Sequence, residues 1–324
     1  MIETDRTGPT RRDFIKAATV TAIAATPARH ALAEATGVGG MTPPPDVIQV
    51  SSNHVVRGRR VHDTLLRGML RSAILHATGA ANVRDAWHSV LRADDVVGLK
   101  FNRSGAQGLG VTPPFAEAVV ASLLESGFEE RQIVAVEAPD ALHSGYGVIR
   151  PASGWNRKPT DFGSGSDQLA AILDQVTAVI NVPFLKTHNI AGVTCCLKNL
   201  SHGLIKHPAR FHGSHCSPFI ADIVALPQIR KKLRLNLVNA LRVVFEGGPQ
   251  AQDQFTWDAG MILAGRDPVA TDTLGLHVLN SQRGILGLPL IKTESGRAVH
   301  LTAAASRGLG KGDPYRLEVR RIRV

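Results

Sequence analysis

The sequence predicts an α/β protein, with a mixed, largely parallel sheet flanked by helices in one domain or two closely joined subdomains. Three observations carry this. Asp94–Asn102, the helical stretch Pro114–Ser126 and Gln132–Glu137 read as strand, helix and strand, a βαβ unit that requires parallel pairing. The apolar run Val176–Val182 repeats the strand signal further on. An apolar content of 44% with 31 glycines is ordinary for this class.

Residues 1–33 stand outside the fold. Thr10-Arg11-Arg12-Asp13-Phe14-Ile15-Lys16, a mild apolar run from Ala17 to Thr26 and the small-residue site Ala31-Leu32-Ala33 read as a twin-arginine signal peptide. The expected partner is the twin-arginine export machinery, and the expected location is the periplasm or beyond. Residues 34–48, with GVGGMTPPPD at 37–46, read as a flexible leader, which leaves 49–324 as the α/β domain. No other apolar stretch reaches the ~18–20 residues of a bilayer span, so no stable membrane span is expected after cleavage.

Within the domain, Arg60–Leu75 and Ala86–Leu91 have helical spacing. Thr112-Pro113 reads as an N-cap followed by a proline in the first turn of the helix that ends near Gly127. Residues 138–165 read as an irregular excursion. Ser166–Leu173 reads as a helix before the Val176–Val182 strand. Helix 218–226, strands Leu233–Phe245 and Met261–Ala264, and a helix capped at Asp267 follow, with Tyr315–Val324 as an edge strand.

Removing the signal's five Lys/Arg and three Asp/Glu from a net charge of +10 leaves +8, which favours anionic ligands. Nucleic acid is not expected, because 5% aromatic residues give bases little to stack on. The basic runs Arg230–Arg234 and Arg316–Arg323 read as solvated faces.

The chemistry concentrates in Asn181–Cys216, which holds five of the 13 histidines and all three cysteines. Lys186, Thr187 and His188 follow a strand end, where α/β proteins hold ligands. His188, Lys186 and Lys198 are the candidate catalytic groups, with His188 as general acid or base near the ordinary imidazole pKa of about 6.5. Lys100, Asn102, Thr112, Thr187 and Asn199 are candidate contacts to a small anion. His212-Gly213-Ser214-His215-Cys216 has a spacing that soft or borderline metals accept, and Asp222 or Asp272 could add an oxygen. Asp272 has a local explanation too, in the first turns of its own helix. Cys195 and Cys196 rarely bridge each other, whereas Cys216 could pair with one of them. Three thiols cannot ligate a four-cysteine cluster alone. Neither G-x-G-x-x-G nor a P-loop is present, and no G-x-S-x-G or H-E-x-x-H appears.

In order along residues 50–285, the chain resembles the DUF362 family. The resemblance rests on Lys100-Phe101-Asn102, Thr112-Pro113, Asn181-Val182-Pro183 with Leu185–His188, Val193-Thr194 with Lys198-Asn199-Leu200, Gly247-Gly248-Pro249, and Leu263–Asp272. It implies an α/β fold and a site, but no defined reaction. Many members carry an appended ferredoxin-like module; this chain has no C-x-x-C. It also has Asn239 where the resemblance implies an acidic residue, and the vicinal Cys195-Cys196 where small or apolar residues are usual. Two functions follow as expectations. One is an exported enzyme acting on a small anionic substrate at the Lys/His site, assisted by a metal ion such as iron or zinc. The other is a metal or iron–sulfur carrier serving a partner oxidoreductase, with Cys195, Cys196 and Cys216 among its ligands; the iron–sulfur form is the less expected.

Overall fold

The computed structural model describes residues 44–324, so the expected twin-arginine signal and the first part of the leader lie outside the described residues. β1 (Val47–Ser51) begins within the expected leader, with Val47 and Ile48 fully buried. α1 (Asp63–Thr78) presents Leu66, Met69, Leu70, Ala73, Ile74 and Ala77 to the core at helical spacing and closes on Gly79 in the left-handed region, φ 74°. Truncating one such leucine to alanine costs about 2–5 kcal/mol. α2 (Val83–His88) is capped by Asn82.

β2 (Val97–Lys100), α3 (Thr112–Glu125) and β3 (Ile133–Val136) form the predicted βαβ unit. Thr112, however, is the first helical residue and not the cap. The two prolines that follow offer no N–H, and its hydroxyl has no partner.

The predicted helix over Ser166–Leu173 is absent. Ser166–Asp167 pairs antiparallel with Thr160–Asp161, and helix begins only at Ile172. The intervening backbone is committed elsewhere: Leu169 O accepts from Asn156 N at 2.8 Å, and Ala170 N donates to Leu204 O at 2.9 Å.

β4 (Ala178–Asn181), β5 (Phe184–His188) and β6 (Gly192–Thr194) lead into α4 (Cys196–Ser201) and α5 (Phe219–Ala225). β7 (Leu233–Val244) and β8 (Thr256–Gly265) precede α6 (Pro268–Ile285). Asp267 caps α6 as predicted, accepting from Val269 N and Ala270 N at 2.8 and 2.9 Å. α7 (Val299–Ser306) and β9 (Val319–Arg323) complete the order.

The nine strands form one sheet in the order β9-β1-β8-β7-β4-β2-β3, with β5 added on β7 and β6 on β5. Of its pairings, β1–β8, β7–β8 and β5–β6 are antiparallel and the rest parallel. One apolar core joins the sheet to α1, α2 and α3, and a second joins it to α4, α5, α6 and α7. β7 pairs with β4 through Leu233–Asn236 and then with β5 through Asn239–Val244, so two strands follow one another along the same edge. The candidate site opens where β2, β3 and β4 end.

Candidate functional site

Two buried polar layers lie at these strand ends. The lower one is closed. Lys100 Nζ donates to Phe101 O at 2.7 Å and to Asn199 Oδ1 at 2.9 Å, and pairs with Glu137 Oε2 at 3.3 Å, which commits its three hydrogens. Asn199 Nδ2 donates to Asn181 Oδ1 at 2.8 Å, and Asn181 Nδ2 to Asn236 Oδ1 at 2.8 Å, tying α4 to β4 and β7. Gly203 is required beside this lysine, because a Cβ there would stand 2.7 Å from Lys100 Nζ. Lys100 is therefore an anchor for Glu137 and Asn199, not a free contact to an anion.

Asp272 belongs to the same layer. Its carboxylate accepts from Cys196 N at 2.6 Å and Leu197 N at 3.0 Å, so it caps α4 across space. Burial raises its pKa to about 6 against these hydrogen bonds and those from the Cys195 and Cys196 thiols. The thiols are themselves held protonated, Cys195 being pushed up to about 11 by burial.

The upper layer is an open cleft of about 310 Å³, lined by Asn102, Ser104, Glu137, Lys186, His188, Thr194, Lys198, Asn199, His202, Gly203 and His212 among others. Strand alternation explains its main wall: Lys186 and His188 face the cleft from β5, while Thr187 faces away and accepts from Gly248 N at 3.2 Å. Thr194, paired with Lys186 on β6, lines the cleft with a buried hydroxyl that has no partner. Lys186 Nζ bonds Ser104 O and reaches Asn102 Oδ1 at 3.4 Å. Desolvation, and for Lys186 the charge of Lys198, lowers both lysines to about 8. Glu137 is the one carboxylate among the described lining residues, and it already serves Lys100 and the Arg103 N–H at 2.9 Å. Its φ of 54° is an uncommon conformation for a non-glycine residue.

His188 differs from the expectation of an ordinary imidazole. Burial, with nearby Lys198, lowers its pKa to about 3. Its Nδ1 accepts from Ile190 N and Ala191 N at 3.1 and 3.2 Å, which leaves the neutral ring's proton on Nε2. The ring is thus a neutral donor.

The sequence-predicted metal set is divided. His212 and Cys216 come together, and His202 joins them; His215 is exposed, with its Nδ1 3.0 Å from Ile190 O. Asp222 pairs with Arg307, and Asp272 caps α4. The three cysteines are free and fall into two groups, Cys195 and Cys196 with Asp272, and Cys216 with the histidines. A carrier site using all three together is therefore not assembled. Thr112 lines an adjoining cleft of about 320 Å³ that shares only Glu137 with the first.

Sequence reasoning missed Glu137, His202, Thr194 and His300. The first three were legible only as a strand-end acid, one histidine of several and one hydroxyl. His300, fully buried with neither ring nitrogen bonded, carried no signal. A larger groove of about 420 Å³ between α1, α2 and α3 holds Arg67, Arg71 and Arg84, but these are solvent-facing side chains without a buried reactive group.

Residues 97–277 match the family described as Domain of unknown function (DUF362). No curated protein matches the chain.

Proposed function

This chain belongs to the DUF362 family, and from the geometry of its cleft we propose that it is an enzyme acting on a small anionic substrate. The observation that carries the reading is Lys186 and Lys198 buried side by side in a cleft whose single carboxylate is already paired. Like charges removed from water call for a counter-ion, and a small anion would supply it. In this reading the lysines neutralise the substrate, with Asn102 and the unpartnered Thr194 hydroxyl adding hydrogen bonds. His188 presents its Nε2–H to a developing negative charge. Lys186, lowered to about 8, can give up or take a proton near neutral pH, a role that His188 at about 3 cannot fill.

The test is a screen of small carboxylates and phosphate esters for thermal stabilisation, then for turnover. Lys186→Ala and His188→Ala should abolish turnover of the substrate found. Lys186→Ala should move the unfolding midpoint of the anion-free protein little, whereas His188→Ala also removes the acceptor of the Ile190 and Ala191 N–H groups and should lower it. Full activity in either variant would refute the assignment. The Arg11-Arg12 motif supports export to the periplasm by the twin-arginine route, so Arg11→Lys with Arg12→Lys should leave the protein in the cytoplasm. A metal or iron–sulfur carrier for a partner oxidoreductase has less support, given the separation of the thiols.

A further inference from the structure

We propose that His202, His212 and Cys216 form a binding site for a borderline divalent metal ion, zinc above all, at the rim of the cleft. One ligand atom from each residue lies within 4.8 Å of the others. Two imidazoles and a thiolate suit zinc, whereas magnesium and calcium prefer oxygen. Three protein ligands leave one tetrahedral position open, as in sites that act on a substrate.

Two further observations point to a ligand here. The first is the orientation of the rings. His212 Nδ1 lies 2.9 Å from Pro208 O and His202 Nε2 lies 3.2 Å from Phe211 O. Each ring therefore donates to a backbone carbonyl, the arrangement that outer partners impose on metal-bound histidines. His212 keeps Nε2 as its lone pair, and His202 keeps Nδ1, which lies 3.2 Å from Ser201 Oγ while that hydroxyl donates to Leu197 O at 2.9 Å. The second is the backbone that delivers the thiol. Ser214, His215 and Cys216 have φ of 49°, 57° and 63°, three consecutive non-glycine residues in the left-handed region. Such a run is costly, and here it places a fully buried thiol against two histidines.

Lys198 marks the same spot. Its Nζ lies 3.2 Å from His212 Nε2, so an ammonium already occupies the lone pair that a metal would take. Metal binding displaces Lys198 from His212 and leaves its charge to the cleft. The site does not depend on the anion reading, since the ligands stand without any bound anion.

The experiment is a titration of zinc into the reduced, metal-free mature protein, followed by cobalt(II) in its place. The expected result is one equivalent of zinc and a thiolate-to-cobalt charge-transfer absorption. Zinc affinity should fall in Cys216→Ser and His212→Ala by more than the ~10–100-fold typical of losing an outer partner. A parent protein that takes up no stoichiometric zinc and shows no such absorption overturns the proposal. Zinc affinity unchanged in both variants overturns it too. The cobalt spectrum of the parent needs no variant to fold, and anion binding is measured separately, so failure of either reading leaves the other intact.

Discussion

Lys100 and Lys186 are buried alike, at 2% and 1% exposure, and project from neighbouring parts of one sheet. They differ in what surrounds them. Lys100 has an acceptor for every hydrogen and a carboxylate beside it. Lys186 has an amide oxygen at 3.4 Å, the carbonyl of exposed Ser104 and a second lysine close enough to lower its pKa. The lesson is that burial of a charge does not identify a site; incomplete pairing does. The layer built on Lys100 and Asp272 holds the strand ends together, and the layer built on Lys186 and Lys198 has charge to offer a ligand.

Substitutions should separate the layers. The largest effect is expected from Asp272→Ala, which leaves two buried N–H groups at the start of α4 unsatisfied; urea unfolding should show a loss of about 2–4 kcal/mol. Lys100→Met should cost a comparable ~2–4 kcal/mol by stranding Asn199 and the partly exposed Glu137. Lys186→Met should change stability by less than about 1 kcal/mol in anion-free buffer, or raise it, because it removes a charge that burial disfavours. It should also abolish stabilisation by a bound anion. Equal destabilisation by Lys100→Met and Lys186→Met would dissolve the distinction.

The pH response sharpens it further. The folded-state pKa of Lys186 is lowered from 10.5 to about 8, so the unfolded chain binds more protons between those values. Its contribution to stability therefore rises as pH increases from about 8 to 10.5, and anion binding weakens over the same interval. Unfolding midpoints of the parent compared with Lys186→Met should show a steeper slope in the parent, because Lys198, also lowered to about 8, still contributes in the variant. Asp272 runs the other way: with its pKa raised to about 6, its contribution falls as pH rises from about 4 to 6. The smallest expected effect is that of Lys198→Met on zinc, a modest gain in affinity from removing the cation that competes for His212 Nε2.

Much of the frame was legible in the sequence because its signals are local. The alternation around Val97–Val136, the Asp267 cap and the apolar run before Asn181 depend on neighbours in the chain. The cleft was legible in part: Lys186, His188 and Lys198 converge as their clustering suggested. What was not legible depends on distant partners. β5 alternates Phe184, Lys186 and His188 with Leu185 and Thr187, so its buried faces carry no apolar period. Residues 166–171 have helical composition, but their backbone bonds are taken by Asn156 and Leu204. The spacing of His212 and His215 suggested a pair, whereas the left-handed turn separates them and His202 arrives from the preceding helix.

The length of β7 has a consequence for how the molecule assembles. The same strand that receives β4 through Leu233–Asn236 receives β5 through Asn239–Val244. Lys186 and His188 therefore cannot acquire their final wall until a segment much later in the chain has docked. Loop-closure entropy delays such non-local pairings. The βαβ unit around β2 and β3 closes a shorter stretch of chain, so it is expected to form before the cleft is walled. Destabilising changes along β5 should then speed unfolding much more than they slow folding.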